Sequence, residues 1–486
     1  MTRPVMAFVF FGITLSTVSG CASASTRKDF ADLEKKVESK TQLKVEWNKN
    51  EKNNEEINQR TRLLFKDKLT VDASVEIALM NNPSLQATLE DLGIAKADLV
   101  QSGLLRNPVV SGSIRKPNDD GKANTEFEVK QDILDLFTLP LRKKFAREQL
   151  EQVKYTIGDA ILHFDNEVRS AYYILQSAQQ MYVMQEKIVK AADSSLTLAE
   201  RQFKAGNIND LVLTGHQVAL YQTKMDLAEQ EVEVKAARED LSRLMGISAD
   251  DMSWEIVEEL PFIANEEPTL EVLENKAMSQ NFELAIARQD IKVREKALTV
   301  NRMNMIPEVS GGYNTERESD GEKLSGPVFE FEVPIFDQKQ SGVSRGQAQL
   351  RQSQRRLESK EREIRSEIRK TYAKLLNTRQ MVETYRDTLI PLRAKFTDSL
   401  LKHYNFMLVG VYDLLEAKKE EFETYHIFIE ALKDYWIIRS DLERLIAERI
   451  EFVPYVSKPA KAEMEDESKP STSQPVQNHS SHGGKK

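Results

Sequence analysis

Two short stretches decide the fold of this chain: Pro108-Val-Val-Ser-Gly112 and Pro307-Glu-Val-Ser-Gly311, about 199 positions apart. The identity continues upstream of both prolines at the same offset. A match this long between two otherwise divergent halves indicates an internal duplication rather than a solenoid. The matched residues are Ala78, Asn82, Leu85, Pro108, Val110, Ser111 and Gly112 in the first half, and Ala277, Asn281, Leu284, Pro307, Val309, Ser310 and Gly311 in the second.

Each half predicts the same order of elements: helix, strand, strand, very long helix and long helix. Glycine and proline are scarce among the 486 residues, at 19 and 15, and no proline lies between Pro140 and Pro261. Stretches this long that are rich in Glu, Lys, Gln, Ala, Leu and Arg are typical of extended helices. The expected fold is therefore mainly α with a small β part.

The very long helices are predicted at about residues 141–203 and 342–404, and the return helices at about 211–245 and 411–450. A helix of roughly 60 residues is on the order of 90 Å long. Pro391 should kink or interrupt the second very long helix. Because a polar helix of this length is not stable alone, its apolar stripe must pack against neighbouring helices.

The remaining boundaries follow from composition and local breaks. Helical periodicity at residues 69–105 breaks at Asn81-Asn82-Pro83, where one helix should end and another begin. We assign residues 21–68 to a polar N-terminal segment that is helical or extended. The first repeat is placed at 69–250, a linker at 251–267, the second repeat at 268–450 and a disordered tail at 454–486.

A hairpin is predicted in each half, with strands at about 108–116 and 125–134, and at about 307–317 and 324–334. Apolar residues alternate with charged ones along the second strand of each hairpin. One apolar and one acidic face over about ten residues suits a transmembrane β-barrel strand. A soluble hairpin lying over a helix is the alternative. The alternating sets are Phe127, Val129 and Ile133 against Glu126, Glu128, Lys130 and Asp132, and Phe329, Phe331 and Val333 against Glu330 and Glu332.

The first 20 residues are predicted to be a lipoprotein signal peptide. Arg3 precedes a mostly apolar run from Val5 to Leu15, and Val18-Ser19-Gly20-Cys21 resembles a lipobox, in which the cysteine becomes lipidated. In lipoproteins with such a lipobox, an Asp after the cysteine favours retention in the inner membrane. Ala22 and Ser23 follow Cys21 here, so the resemblance favours the outer membrane. An ordinary export signal with an incidental cysteine is the alternative. Because no other apolar run approaches the ~18–20 residues of a membrane helix, any crossing must be made of strands.

Four strands per chain cannot close a barrel, and an open sheet edge is not tolerated in lipid. Several copies must therefore share one barrel. Three chains would supply twelve strands and would also close a ring of long helices. The strand assignment thus predicts homo-oligomerisation, and as a homotrimer the chain would form an α-helical barrel and a 12-stranded β-barrel.

These features resemble the TolC-type outer-membrane efflux proteins over about residues 69–450. That family has duplicated helix–hairpin–helix halves, a proline before each first strand, and a Tyr-x-x-Gly followed by Asp-x-Leu-Asp/Gln-Ala at the last turn. Here the turn reads Tyr404-Asn-Phe-Met-Leu-Val-Gly-Val-Tyr-Asp413-Leu-Leu-Glu416-Ala417, with Met407 where glycine is usual. The first half offers Phe203-Lys-Ala-Gly206-Asn207-Ile208, followed by Asp210 and Leu211.

The resemblance implies roles for residues at these turns, which lie at the periplasmic end of the helical barrel. Asp413 and Glu416 correspond to an acidic pair at the narrowest opening, where three copies would place six carboxylates around one axis. Val409 replaces an arginine that helps hold that end closed. As the alternative, both acids are ordinary helix-start residues. The candidates for contact with an adaptor are Phe203, Gly206, Asp210, Leu211, Tyr404 and Gly410.

Glutamates on the polar strand faces are candidates for the barrel lumen, although they could also be a wet face without a selective role. They are Glu126, Glu128, Glu330 and Glu332.

No arrangement of residues supports catalysis or a cofactor: the folded region lacks a phosphate-binding glycine loop, a nucleophile elbow and a histidine pair at metal spacing. His479 and His482 in the tail could bind a metal weakly. A net charge of −9 gives no reason to expect nucleic-acid binding.

The sequence thus predicts a lipid-anchored outer-membrane channel that conducts substrates passively from an inner-membrane pump and a periplasmic adaptor. Metal ions and small toxic compounds are the candidate cargoes. The alternative is a periplasmic coiled-coil lipoprotein with a structural or adaptor role. The strand faces discriminate between them, since only a channel needs an apolar outer band.

Overall fold

The computed structural model describes residues 25–41, 43–49, 51–116, 118, 122–247 and 254–453. Cys21, His479 and His482 therefore lie outside the described residues, together with the signal peptide and the tail. None of the helices in the described ranges contains an apolar stretch that could span a lipid bilayer.

The first half contains α1 (Arg27–Thr41), α2 (Glu51–Leu64), α3 (Val71–Asn81), α4 (Pro83–Ser102), β1 (Val109–Arg115), β2 (Asn124–Asp132), α5 (Leu134–Lys204) and α6 (Asp210–Met245). The second contains α7 (Leu270–Gln280), α8 (Phe282–Met303), β3 (Val309–Arg317), β4 (Lys323–Phe331), α9 (Gln340–Thr384), α10 (Ile390–Asn405) and α11 (Val411–Ile446). The second half therefore repeats α3 to α6 in order, with its very long helix in two pieces.

The first very long helix is longer than the sequence predicts. α5 has 71 residues and begins at Leu134, so Pro140 lies inside it rather than before it. As the seventh residue of the helix, Pro140 has no N–H to donate to the Leu136 carbonyl, yet the helix continues through Pro140. Its position in the second turn is the reason that the prediction placed the helix start too late.

The second very long helix is interrupted where Pro391 predicts a disturbance. A π-helical turn, Tyr385–Leu389, separates α9 from α10, and the N–H of Ile390 donates to the carbonyl of Tyr385. Pro391 has no N–H to continue the regular pattern, so the wider turn absorbs the defect without ending the rod. The last return helix is shorter than predicted, because Ala447 adopts a left-handed φ of 51° and ends α11 at Ile446.

The N-terminal segment is less polar in its packing than its composition suggests. Residues 43–49 are extended, and Leu43, Val45 and Trp47 alternate into the hydrophobic core. Lys154 of α5 is buried and pairs with Asp29 at 3.2 Å. The segment is therefore a strap across α4 and α5. Its period-two pattern was hidden among lysines and glutamates.

A buried core joins the two halves of the chain. The rings of Tyr173 in α5 and Trp436 in α11 stack with centroids 5.6 Å apart. Beside them, Arg449 donates to Asp165 at 2.6 Å and to Glu443 at 2.7 Å. These contacts fix α11 against α5 and set the lateral order of the long helices.

Candidate functional site

The four strands form one antiparallel sheet in the order β1-β2-β3-β4, so β2 joins the two halves. Val129 lies opposite Tyr313, and Glu128 lies opposite Asn314. β1 and β4 each pair with one strand only, and the outer edges of both are unpaired in this protomer.

The register sorts the side chains onto two different faces. One face is apolar between Gln131 at one end and the Arg317–Lys323 pair at the other, and most of its large apolar side chains are exposed in the single protomer. The other is polar and mostly acidic, with Val109, Leu324 and Val328 as apolar exceptions. The apolar face carries Val110, Ile114, Phe127, Val129, Val309, Tyr313, Phe329 and Phe331, and the polar face carries Ser111, Ser113, Glu126, Glu128, Lys130, Asp132, Ser310, Asn314, Glu316 and Glu330.

The carboxylates of the polar face form ion pairs and hydrogen bonds with a few basic and amide groups. Lys130 Nζ lies 3.1 Å from Glu128 and 2.9 Å from Glu330. Glu126 accepts from Arg115 at 2.9 Å and from Asn314 at 2.8 Å.

Three of the four predicted lumen residues, Glu126, Glu128 and Glu330, thus share one face. Glu332 lies after the end of β4, because that strand stops at Phe331, three residues before its predicted end. Its N–H still donates to Glu308 at 3.2 Å, so the ladder continues by one bond.

The turns at the far ends of the long helices have the same backbone conformation. Gly206 has a φ of 75° in the α5–α6 turn, and Met407 has a φ of 60° in the α10–α11 turn. Met407 therefore takes the left-handed conformation expected of the usual glycine. The matching hydrogen bonds run from Gly206 to Phe203 and Asn207 to Gln202, and from Met407 to Tyr404 and Leu408 to His403.

The predicted adaptor-contact residues all lie at these two turns. Phe203 lies in the last turn of α5, and Asp210 and Leu211 begin α6, where Leu211 is 77% exposed. Tyr404 lies in the last turn of α10, and Gly410 precedes α11. The second turn also presents three exposed apolar side chains that the sequence did not predict as adaptor contacts: Phe406, Met407 and Leu408, exposed by 77%, 93% and 68%.

Asp413 and Glu416 lie in the first turns of α11 and are both exposed. The Asp413 carboxylate accepts the N–H of Gly410 at 2.9 Å, which caps the helix start. In this protomer Asp413 therefore has the structural role that the alternative interpretation gave it. Its position at the tip is also the one that a constriction would need.

The two helical hairpins, α5–α6 and α10–α11, contact each other beside the acidic turn that carries Asp413 and Glu416. The Tyr412 ring stacks on the His216 ring, with centroids 6.2 Å apart and planes 20° apart. His216 is buried and its Nδ1 lies 3.1 Å from Ser195 Oγ. Burial lowers the pKa of His216, so the neutral imidazole is favoured. No local pattern in the sequence could have shown this contact, because its three residues come from α5, α6 and α11.

One surface could have been found from the sequence. α6 exposes apolar residues at intervals of seven, which is the period of a coiled-coil seam. This face lies on the opposite side of α6 from His216 and Leu220, which are buried toward α5. The exposed seam consists of Leu211, Val218, Met225 and Val232, with Tyr221 between them.

The described residues contain one group with ligand atoms close enough to hold a metal: Asp159 and His163 of α5 and Glu283 of α8. Burial raises the pKa of Asp159. Arg444 lies 3.2 Å from His163 Nε2, and Lys360 lies 3.0 Å from Glu283. Two basic side chains thus already bind ligand atoms that a metal ion would need. The cluster is therefore an ion-pair network between the two halves.

Comparison with known proteins identifies the class of molecule to which this architecture belongs. The outer membrane efflux protein family matches residues 75–247 and 273–397. The chain belongs to this family. It lies in the outer membrane, extends into the periplasm and is an outer-membrane channel component of an efflux system. The predicted function is therefore confirmed, and the coiled-coil lipoprotein alternative is not favoured.

Individual proteins of known sequence or structure are similar to this chain over most of its length. The chain is 18% identical to the cobalt-zinc-cadmium resistance protein CzcC of Cupriavidus metallidurans over 389 residues, 78% of this chain and 90% of the relative. A CusC structure matches with a TM-score of 0.67 and 17% identity, covering 78% and 92% of the two chains. The Campylobacter jejuni CmeC outer membrane channel matches with a TM-score of 0.65 and 14% identity, covering 85% and 91%. These structural likenesses confirm the predicted fold class.

Proposed function

We propose that this chain, as a lipid-anchored homotrimer, is the exit duct of an efflux system for divalent metal cations. A periplasmic adaptor would join it to an inner-membrane pump that supplies the energy. The observation that carries the channel geometry is the four-stranded sheet, with one apolar face, one acidic face and two unpaired edges. In lipid these edges must be paired, and the edges of neighbouring copies satisfy them.

The exposed seam of α6 supports association of the same copies along the periplasmic rod. α6 has one apolar side packed on α5 and a second, opposite one facing solvent in the single protomer. At the other lateral limit of the protomer, α10 exposes Leu389, Leu392 and Phe396 around its start. A neighbouring copy would pack these residues against the α6 seam, so that three protomers close the ring of helices.

The acidic polar face supports a cationic cargo. Glu126, Glu128, Asp132, Glu316 and Glu330 share that face with two basic side chains, so three copies would give a lumen with an excess of carboxylates. Rings of carboxylates favour cation passage. The relative from Cupriavidus metallidurans is named for cobalt, zinc and cadmium resistance, which agrees with this charge.

The exposed apolar tip supports docking of an adaptor. Phe406, Met407 and Leu408 lie beyond the last helical turn with little cover in the protomer. Exposed apolar patches of this kind mark protein contacts. Apolar residues at the tip of the adaptor would bury these side chains, which would join the adaptor end to end with this channel.

The experiment that tests the cargo compares a deletion strain with its complemented parent for sensitivity to cobalt, zinc, cadmium, copper and common antibiotics. We expect sensitivity to divalent metals to rise while antibiotic sensitivity stays unchanged. The opposite pattern would replace metal export by drug export, although the channel would stand. Replacing Cys21 with serine should abolish lipid labelling while the barrel still inserts.

A further inference from the structure

Tyr412, in the first turn of α11, contacts the first two turns of α6. Its ring stacks on His216, and its hydroxyl lies 3.5 Å from the carbonyl oxygen of Val212. The contact joins the tip of the α5–α6 hairpin to the tip of the α10–α11 hairpin.

The site on α6 that receives Tyr412 is open because residue 215 is glycine. A Cβ atom on Gly215 would lie 2.6 Å from the Tyr412 hydroxyl oxygen and 3.3 Å from its Cε1. Carbon and oxygen atoms do not approach to 2.6 Å without bonding, so any other residue at 215 would displace the ring. Gly215 and Tyr412 are therefore matched in shape.

A third element fixes the floor of this site. Ser195 of α5 holds the buried His216 by the 3.1 Å contact to Nδ1, so the imidazole cannot turn freely under the Tyr412 ring. Burial lowers the pKa of His216, whose ring contacts Ser195 from α5 and Tyr412 from α11.

The contact is separated from the core of the protomer. Farther from the tips along the same helices, a cavity of about 280 Å³ lies between the two helical hairpins. Its lining includes Met181, Gln185, Asp226 and His426. Along α11, His426 and Tyr412 are about 21 Å apart at 1.5 Å per residue. The Tyr412 contact therefore lies between this cavity and the helix tips, apart from the main hydrophobic core.

We propose that Tyr412, seated in the space left by Gly215, is a positioning residue that holds the acidic turn of the second hairpin against the first. This inference rests on the proposed function, in which these turns surround the periplasmic opening. Asp413 follows Tyr412 directly, and its bond to Gly410 makes the start of α11 one rigid piece. Release of Tyr412 therefore frees Asp413 and Glu416 to move outward, which widens the opening.

The test measures single-channel conductance of purified trimers in planar bilayers. Gly215→Ala, which displaces the ring, and Tyr412→Ala, which removes it, should each raise conductance at least about twofold over the parent. Gly342→Ala is the matched control, because a Cβ at that helical glycine meets nothing within 4 Å. Adding Tyr412→Phe to Gly215→Ala removes the oxygen that clashes, so the double variant should return toward the parent conductance.

The outcomes separate the two levels of the proposal. A parent protein that inserts but does not conduct would overturn the channel itself. A conducting parent whose Gly215→Ala and Tyr412→Ala variants match it as intact trimers would overturn only the role of Tyr412. Loss of the trimer in both variants, without rescue by the double variant, would assign these residues to assembly and would also overturn the inference.

Discussion

Asn82 and Asn281 make the same pair of connections in the two halves of the chain. Each side-chain oxygen caps the start of one helix, and each side-chain nitrogen donates to a carbonyl at the end of a distant return helix. The four bonds are Leu85 N–H to Asn82 at 3.1 Å, Leu284 N–H to Asn281 at 3.0 Å, Asn82 to the Leu244 carbonyl at 3.0 Å and Asn281 to the Leu445 carbonyl at 2.9 Å.

Replacing either asparagine with alanine should destabilise the protein by about 2 kcal/mol, because a helix cap is lost and a buried carbonyl loses its donor. The measurement is the thermal midpoint of helical circular dichroism in detergent. Thr269→Ala is the control, since Thr269 is the N-cap of α7 but makes no side-chain capping bond. Equal midpoints for Asn281→Ala and Thr269→Ala would contradict this role.

Met407→Gly should stabilise the protein by roughly 1 kcal/mol, because a left-handed conformation costs about that much for any residue with a Cβ. Met407 is almost fully exposed, so little packing is lost. The reverse change, Gly206→Met, should destabilise by a similar amount at the equivalent turn. Unfolding midpoints of the two variants that shift in the same direction would be inconsistent with this reading of the turns.

Lys130→Gln should make the pore more selective for cations, since it removes the positive charge between Glu128 and Glu330. Glu330→Gln should change selectivity the other way. Reversal potentials in a salt gradient measure both effects. If neither variant moves the reversal potential, the polar face of the sheet is not the conducting surface.

Val218→Asp should dissociate the trimer or prevent its assembly, because it places a charge in the middle of the exposed α6 seam. Gln217→Asp is the matched control, since its neighbouring position on α6 is also exposed but lies outside the seam. Light scattering of detergent complexes gives the mass of each variant. Trimers in both cases would exclude the seam as a protomer interface.

The His216 site should lose stability in acid. Because burial lowers the pKa of His216 in the folded protein below its ordinary value of 6.5, the unfolded chain binds a proton first. The contribution of neutral His216 to the free energy of unfolding is complete above pH 6.5. It is lost as the pH falls from 6.5 through the lower pKa that His216 has in the folded protein. His216→Gln should remove this part of the pH dependence of the thermal midpoint, and an unchanged profile would refute it.

The sequence alone determined the duplication, the four strands with two chemically distinct faces, and the positions of the long helices. These features depend on local periodicity and on prolines and glycines, which act within a few residues. It placed the start of α5 too late because Pro140 is tolerated in an early helical turn, and it missed the apolar alternation of Leu43, Val45 and Trp47 within a charged segment.

Only the tertiary structure decided which helices are neighbours and which surfaces remain open. The opposed apolar sides of α6, the double role of Asn82 and Asn281, and the seat of Tyr412 over Gly215 all bring together residues from different helices. No local sequence pattern predicts these contacts, because each depends on which long helices are neighbours and on how far one is shifted along its axis relative to the other. Packing of the two halves around one core sets that order, and the sequence encodes it only through the complete fold.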